Sequence, residues 1–166
     1  MSVSAEYKFL QQQGFLNDNK DMAKNHYNAL LFQPIIVSAT MLIAIIIQSA
    51  TIFLVFSGLL WTNTIFPKAN PFERLYVKTI GKSRGVGDLE PAPAPRRFMQ
   101  GMAASLMLIA GLAILSGFTI MSYIAQGLIL IAFSLLLFGK FCVGAYVYHL
   151  LHGNAQFANG TCPWSK

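Results

Sequence analysis

The sequence predicts an all-α membrane protein with four transmembrane helices, arranged as two hairpins that a basic cytoplasmic link joins. Two blocks carry this prediction, because residues 25–67 and 98–139 each run for more than forty positions without Lys, Arg, Asp or Glu. A chain this short could not bury so much apolar surface in water, so lipid is the solvent that suits both blocks. Neither block alternates as a barrel strand does, which leaves helices to satisfy the backbone within lipid.

Each block is long enough for two spans, because a bilayer core of about 30 Å takes roughly 20 helical residues. The first hairpin, residues 28–66, is expected to run over 28–47 and to return over 49–66. Gln48 and Ser49 mark its turn, since they are the polar pair nearest its midpoint.

The second hairpin occupies residues 98–152. One span is expected over 98–118 and the returning span over 123–148, as one continuous helix. Weak turn formers separate the two spans, and they are Ser116, Gly117, Thr119 and Ser122.

The cations predict the orientation of these spans. The link, residues 67–97, is rich in Lys and Arg, whereas neither hairpin turn carries a charge. Short loops rich in Lys and Arg stay in the cytoplasm, so the link, the arm 1–27 and the tail 153–166 are all expected on that side. The cations of the link are Lys68, Arg74, Lys78, Lys82, Arg84, Arg96 and Arg97.

A short interfacial helix is expected within the link, from Pro71 to about Ile80. Asn70 is a suitable N-cap, Pro71 fits the first helical position and Glu73 complements the positive end of the helix dipole. A stiff run rich in proline follows and ends at Pro95, next to Arg96 and Arg97 at the head of the third span.

The two ends of the chain are expected to be simpler. The arm carries balanced charges and no continuous apolar core, so it is not a cleavable signal peptide. Gly14 interrupts its one apolar face, which predicts a loosely docked arm. The tail is short, polar and rich in turn formers.

The formal charge of +6 follows from this topology. Because the cations flank apolar spans in a chain that is more than half hydrophobic, the expected partner of the basic link is the anionic surface of the lipid bilayer. Nucleic acid is not expected as a partner.

Three short motifs resemble a known family. Asn70-Pro71-Phe72 is followed by Leu-Tyr, Pro95-Arg96-Arg97-Phe-x-Gln opens the second hairpin, and Phe-Cys142-x-Gly144 comes near the end of the last span. In this order and spacing they resemble the bacterial membrane proteins of the DUF4395 family, over roughly residues 28–151. The resemblance implies a prokaryotic inner-membrane protein of four spans, in a family without an established activity.

One position departs from that family. Its members commonly carry a second cysteine three residues after the first, where this chain has Ala145. Any dithiol chemistry of the relatives therefore could not take place at this site.

Cys142 is nevertheless the strongest single candidate for a functional residue. Within one helix it would share a face with Tyr146 and His149, and Cys162 lies in the tail, so a redox or ligand site can be drawn from Cys142, His149 and Cys162. The alternative is structural, with Cys142 as a small apolar filler and His149 as an interfacial residue. No metal site and no cofactor is predicted, although a haem shared by His26 and His149, or a quinone, stays open.

Arg96, Arg97 and Lys140 are the cations closest to membrane depth. All three lie near span ends, so their long side chains are expected to reach water. The expected spans contain no carboxylate, which argues against a proton-coupled transporter.

Two classes of function remain, and the sequence assigns no catalytic residue. The first is a non-catalytic subunit or scaffold of a membrane complex, which binds a protein partner or a second copy of itself. The second is a redox or sulfur-handling membrane protein that uses Cys142, with a thiol or a quinone as its reaction partner.

Overall fold

The structure is a computed structural model that describes residues 5–15, 20–81 and 91–162, without the side chains of 5, 20–26 and 69. The described residues form helices and turns only, in agreement with the predicted all-α class. The middle of the link, residues 82–90, and the side chain of His26 lie outside this description. The α-helices are α1 (Ala5–Gln12), α2 (Lys20–Ile46), α3 (Ala50–Ile65), α4 (Pro71–Tyr76), α5 (Ala94–Leu115), α6 (Thr119–Leu137), α7 (Val143–Leu151) and α8 (Ala155–Gly160). A 3₁₀ turn (Pro67–Ala69) precedes α4, and a π-helical turn (Val77–Gly81) continues it.

Three of the described helices are long and apolar enough to cross a membrane. They are the part of α2 over Tyr27–Ile46, all of α5 and all of α6. Helix α3 is equally apolar but shorter, with 16 residues, so the span count of four remains a prediction.

The turn between α2 and α3 lies where the polar pair predicted it. Gln48 has a positive φ of 49°, and the side chain of Ser49 caps α3 by accepting a hydrogen bond from the Ile52 amide. The Gln48 and Gln126 side-chain amides then exchange two hydrogen bonds, each 3.1 Å long, which tie this turn to α6. Helix α2 itself begins at Lys20, well before the expected start of the span.

Helix α5 is the centre of the bundle and contacts α3, α6 and α7. Gly111 permits the closest approach to α3, because a Cβ atom at this position would lie 2.9 Å from Cγ of Leu54. Met41, Phe53 and Met107 are completely buried around this contact and form the centre of the core.

The returning span is not one continuous helix, which corrects the expectation of a helix over 123–148. Helix α6 ends at Leu137, and α7 starts again at Val143. Lys140 between them has a positive φ of 50°, and the Phe141 amide bonds to the Leu135 carbonyl across the break. Cys142 therefore does not lie within a transmembrane helix.

The arm is firmly packed, so the prediction of a loosely docked arm is wrong. Phe9, Leu10 and Phe15 are buried against residues of α2, α6 and α7, together with Tyr27 and Leu136. Gly14 does end the helical part of the arm, with a φ of 91°. The tail likewise forms a short helix, α8, where only turns were expected.

Candidate functional site

A cluster of buried polar side chains lies where the arm, the link and the head of α5 meet. We call it the polar cluster. Each member is at most 9% exposed, although amides and charges are costly to bury without partners. Its members are Gln12, Gln13, Gln33, Asn70, Glu73, Arg96 and Gln100.

Arg96 is at the centre of the polar cluster and is completely buried. The expectation that its side chain reaches water is therefore wrong. Its Nη1 donates to Oε1 of Gln13 at 2.8 Å, and its Nη2 donates to the Leu30 carbonyl at 3.4 Å. Nη2 also lies 3.9 Å from Oε1 of Glu73, which supplies the opposite charge. The arm and the link thus close over a cation that the sequence pattern assigned to the membrane surface.

Arg97 and Lys140 differ from Arg96. Arg97 is half-buried and donates from Nε to the Thr64 carbonyl at 2.8 Å, which joins α5 to the end of α3. Lys140 pairs with Glu6 of the arm at 3.5 Å, with more than a third of each side chain exposed.

Asn70 begins α4 as predicted, and its cap fixes the orientation of three side-chain amides. The Phe72 amide donates to Oδ1 of Asn70 at 3.0 Å, so Nδ2 of Asn70 is left to donate to Oε1 of Gln33 at 3.2 Å. The same Gln33 oxygen accepts from Nε2 of Gln100 at 3.1 Å. Because a backbone N–H can only donate, the Phe72 amide fixes the direction of all three hydrogen bonds in this series.

Cys142 and His149 meet the arm at a single residue, Gln12. The Cys142 amide donates to Oε1 of Gln12 at 2.8 Å, and Nε2 of His149 lies 2.9 Å from the Gln12 carbonyl oxygen. Both are buried, but Gln12 rather than a shared ligand connects them. His149 is thereby committed to a backbone contact.

The Cys142 thiol is the N-cap of α7. Its Sγ accepts a hydrogen bond from the Ala145 amide at 3.4 Å and contacts the sulfur of Met99. Burial raises the pKa of Cys142 to about 11, so the thiolate is scarce near neutral pH. Ala145, three residues after Cys142, is completely buried.

Cys162 is not brought to Cys142 by any contact of the described residues. Its Sγ lies 3.5 Å from the Ala158 carbonyl in the tail, and its own carbonyl accepts from Nζ of Lys8. Cys142 and Cys162 form no disulfide within the described part of the chain. Among the described residues, no group of three His, Cys, Asp or Glu side chains could hold a metal ion.

Two further motif residues allow close packing. At Gly144 a Cβ atom would lie 2.8 Å from Cα of Met99, so α7 approaches α5 as closely as backbones can. Pro95 is buried against Gly14 of the arm, at 3.1 Å from the position of a Cβ atom there. Both residues position the elements that enclose the polar cluster.

On the solvent side of Glu73 the link forms a concave surface that we call the basic groove. Its volume is about 510 Å³, and the exposed cations Lys68, Arg74 and Lys78 lie around it. Arg74 donates to the Lys68 carbonyl at 3.3 Å, which keeps these two residues together. Burial raises the pKa of the Glu73 carboxyl at the floor of the groove, and the Arg96 guanidinium opposes that rise.

Next to the polar cluster, between α3, α5 and α6, lies a half-open cavity that we call the apolar cleft. Its volume is about 730 Å³, within the range of small-molecule sites. Its walls come from α3, α5 and α6, and its lining includes Arg96, Gln100 and Cys142. The cleft is overwhelmingly apolar elsewhere.

Most residues of the polar cluster were not predicted from the sequence. Gln12 and Gln13 gave no signal because their partners are far away in the chain. Gln33 and Gln100 did offer one, since a glutamine within an uncharged apolar block has few ways to be satisfied.

Comparison with known proteins agrees with the motifs. The model of the family described as a domain of unknown function, DUF4395, matches residues 27–152. No curated protein and no solved structure matches the chain. The match includes the link, α5 and the Cys142–Gly144 segment, so this chain belongs to the DUF4395 family.

Proposed function

We propose that this chain is a four-span protein of the bacterial inner membrane, and that it is a non-catalytic subunit which binds an acidic protein segment in the basic groove. Both termini and the link then face the cytoplasm, by the distribution of cations. The fourth span is α3. Its 16 residues extend for about 24 Å, a mismatch that local thinning of the bilayer accommodates.

The basic groove is the observation that carries this proposal. Lys68, Arg74 and Lys78 are exposed together around a concavity, while the carboxylate on its floor is already paired with Arg96 from behind. The groove therefore presents an excess of positive charge, and charge complementarity selects an acidic segment. A concave shape suits a protruding side chain or peptide better than a flat layer of headgroups.

The test places a photo-crosslinking amino acid at Val77, which lines the groove, in the full chain within its native membranes. We expect one protein to be crosslinked through a peptide rich in Asp and Glu. The double variant Lys68→Glu, Lys78→Glu should abolish that adduct, whereas the matched pair Lys68→Arg, Lys78→Arg should keep it. Adducts to lipid alone, or an adduct that survives charge reversal, would refute the proposal.

The topology has its own test. In a background with Cys142 and Cys162 changed to Ser, Lys68→Cys should react with an impermeant maleimide only in inverted vesicles. Ser116→Cys, in the exposed turn between α5 and α6, should react only from the outside of intact cells. Labelling of both positions from one side would exclude the proposed arrangement.

The alternative is a thiol or quinone-linked redox protein that uses Cys142. One observation favours it, because Cys142 is among the residues that surround the apolar cleft. The pKa of about 11 opposes it, since the thiolate is the reactive form. The basic groove therefore supports the first proposal more strongly than Cys142 supports the redox alternative.

A further inference from the structure

The basic groove contains a negative charge as well as its cations. Glu73 is the only acidic residue among the described residues that line the groove, and it is 9% exposed. Because little water screens a carboxylate at this depth, any ion that enters the groove interacts with its charge. An acidic segment in the groove is therefore attracted by the cations and repelled by Glu73 in its ionised form.

On the side away from the groove, Glu73 faces Arg96. Nη2 of Arg96 lies 3.9 Å from Oε1 of Glu73, which is longer than a hydrogen bond. The hydrogen bonds of the guanidinium go instead to Oε1 of Gln13 and to the Leu30 carbonyl. Neither bond involves Glu73, so both can persist when Glu73 takes up a proton. The charge of Arg96 is then no longer compensated, which makes the groove more positive.

The other described groups around Glu73 are of types that do not exchange protons near neutral pH. The cations that line the groove are lysine and arginine, which are charged between about pH 5 and pH 8. From the arm and α2, the side chains that reach the polar cluster are amides, such as Gln13 and Gln33. Tyr76, which is also on α4, contacts the ring of Phe32 on α2.

Histidine is the usual group that titrates in this range, but the described histidine side chains lie outside the groove. Nε2 of His149 contacts the Gln12 carbonyl, and Nδ1 of His152 contacts the Tyr148 carbonyl. Burial raises the pKa of Glu73 above its ordinary value of 4.5, although the neighbouring guanidinium and amide oppose the rise. A second negative charge nearby raises the pKa of a carboxyl further.

We propose that the acidic partner binds to the basic groove together with a proton, which a carboxylate oxygen of Glu73 takes up from solvent. This inference rests on the proposed function, because the partner is the acidic segment assigned to the groove. Protonation raises the affinity for the partner, and the partner raises the affinity of Glu73 for the proton by the same factor. Binding is therefore tightest below the pKa of Glu73 and weakens as the pH rises through it.

The experiment uses the purified full chain in detergent and a short fluorescent peptide of cysteic acid residues as the acidic probe. Sulfonates stay ionised across the whole range, so a change of affinity with pH comes from the protein. By fluorescence anisotropy, we expect the wild type to bind about fivefold more tightly near pH 5 than near pH 8. Glu73→Gln should bind equally at both pH values, with the affinity that the wild type has at the lower one. Glu6→Gln removes the same charge outside the groove, where Glu6 pairs with Lys140, and should keep the pH dependence.

The outcomes separate this inference from the proposed function. Equal pH dependence in the wild type and Glu73→Gln, with binding that Lys68→Glu, Lys78→Glu abolishes, would overturn the inference and leave the proposed function standing. Absence of binding at every pH, or binding that survives this charge reversal, would refute both. If Glu73→Gln does not fold, calorimetry of the wild type in two buffers of different ionisation enthalpy decides. Proton uptake on binding is the expected result, and binding without uptake would overturn the inference.

Discussion

Nη1 of Arg96 donates a hydrogen bond of 2.8 Å to Oε1 of Gln13, a residue 83 positions earlier in the chain. Through this bond the arm covers the head of α5, and the cation there is shielded from both lipid and water. The bond also explains why the arm is ordered, since Gln13 and Arg96 each need the other to be buried.

Arg96→Met should therefore destabilise the protein strongly, by about 3–5 kcal/mol, because Glu73 and Gln13 would stay buried without their partner. Arg97→Met is the matched control. Arg97 is half-buried and the variant loses one hydrogen bond to a backbone carbonyl, so a loss of about 1 kcal/mol is expected. Thermal unfolding of the purified variants in detergent, followed by circular dichroism, measures both. Equal losses of stability in the two variants would contradict the role of Arg96 as the centre of the polar cluster.

The burial of Glu73 predicts that its contribution to stability falls as the pH rises. Burial raises its pKa above the ordinary value of 4.5, so its protonated form favours the folded state. Its contribution to stability is fully present below pH 4.5 and is lost as the pH rises through the raised pKa. The wild type should thus lose stability relative to Glu73→Gln across this window, as seen in the melting temperatures of the two proteins. A gain over the same window would mean that the Arg96 ion pair outweighs burial.

Gly144 should not tolerate even one methyl group. A Cβ atom would lie 2.8 Å from the backbone of Met99, so Gly144→Ala must push α7 away from α5, at a cost of about 1–3 kcal/mol. Gly127→Ala in α6 meets nothing within 4 Å and should leave the stability nearly unchanged. Folded yield after detergent extraction and the melting temperature compare the two variants. A stable Gly144→Ala protein would show that the two helices are not in backbone contact.

The two cysteines should differ in reactivity. Cys142 is 1% exposed and has a pKa of about 11, whereas the thiol of Cys162 is partly accessible. With N-ethylmaleimide near neutral pH, Cys162 should be alkylated first, and intact mass together with peptide mapping follows both. Cys142→Ser should keep stability and partner binding, because a serine hydroxyl can cap α7 as the thiol does. Loss of partner binding in Cys142→Ser would support the redox alternative.

The residue patterns by themselves determined the features that depend on local chemistry. Uncharged blocks indicate helices suited to lipid, Gln48 and Ser49 mark a turn, and Asn70 with Pro71 marks the start of α4. Each of these depends on residues close together in the sequence, where the hydrogen bonds and the solvent preference are already decided.

Only the tertiary structure decided the break at Lys140, the docking of the arm and the burial of Arg96. The reason is the length of chain between the partners: Gln12 bonds to Cys142 across 130 residues, and the Gln33–Gln100 bond spans 67. An arginine beside an apolar span looks the same in the sequence whether it reaches water or a buried glutamine. Packing against distant segments selects between the two, because a cation leaves water only where those segments supply its hydrogen bonds.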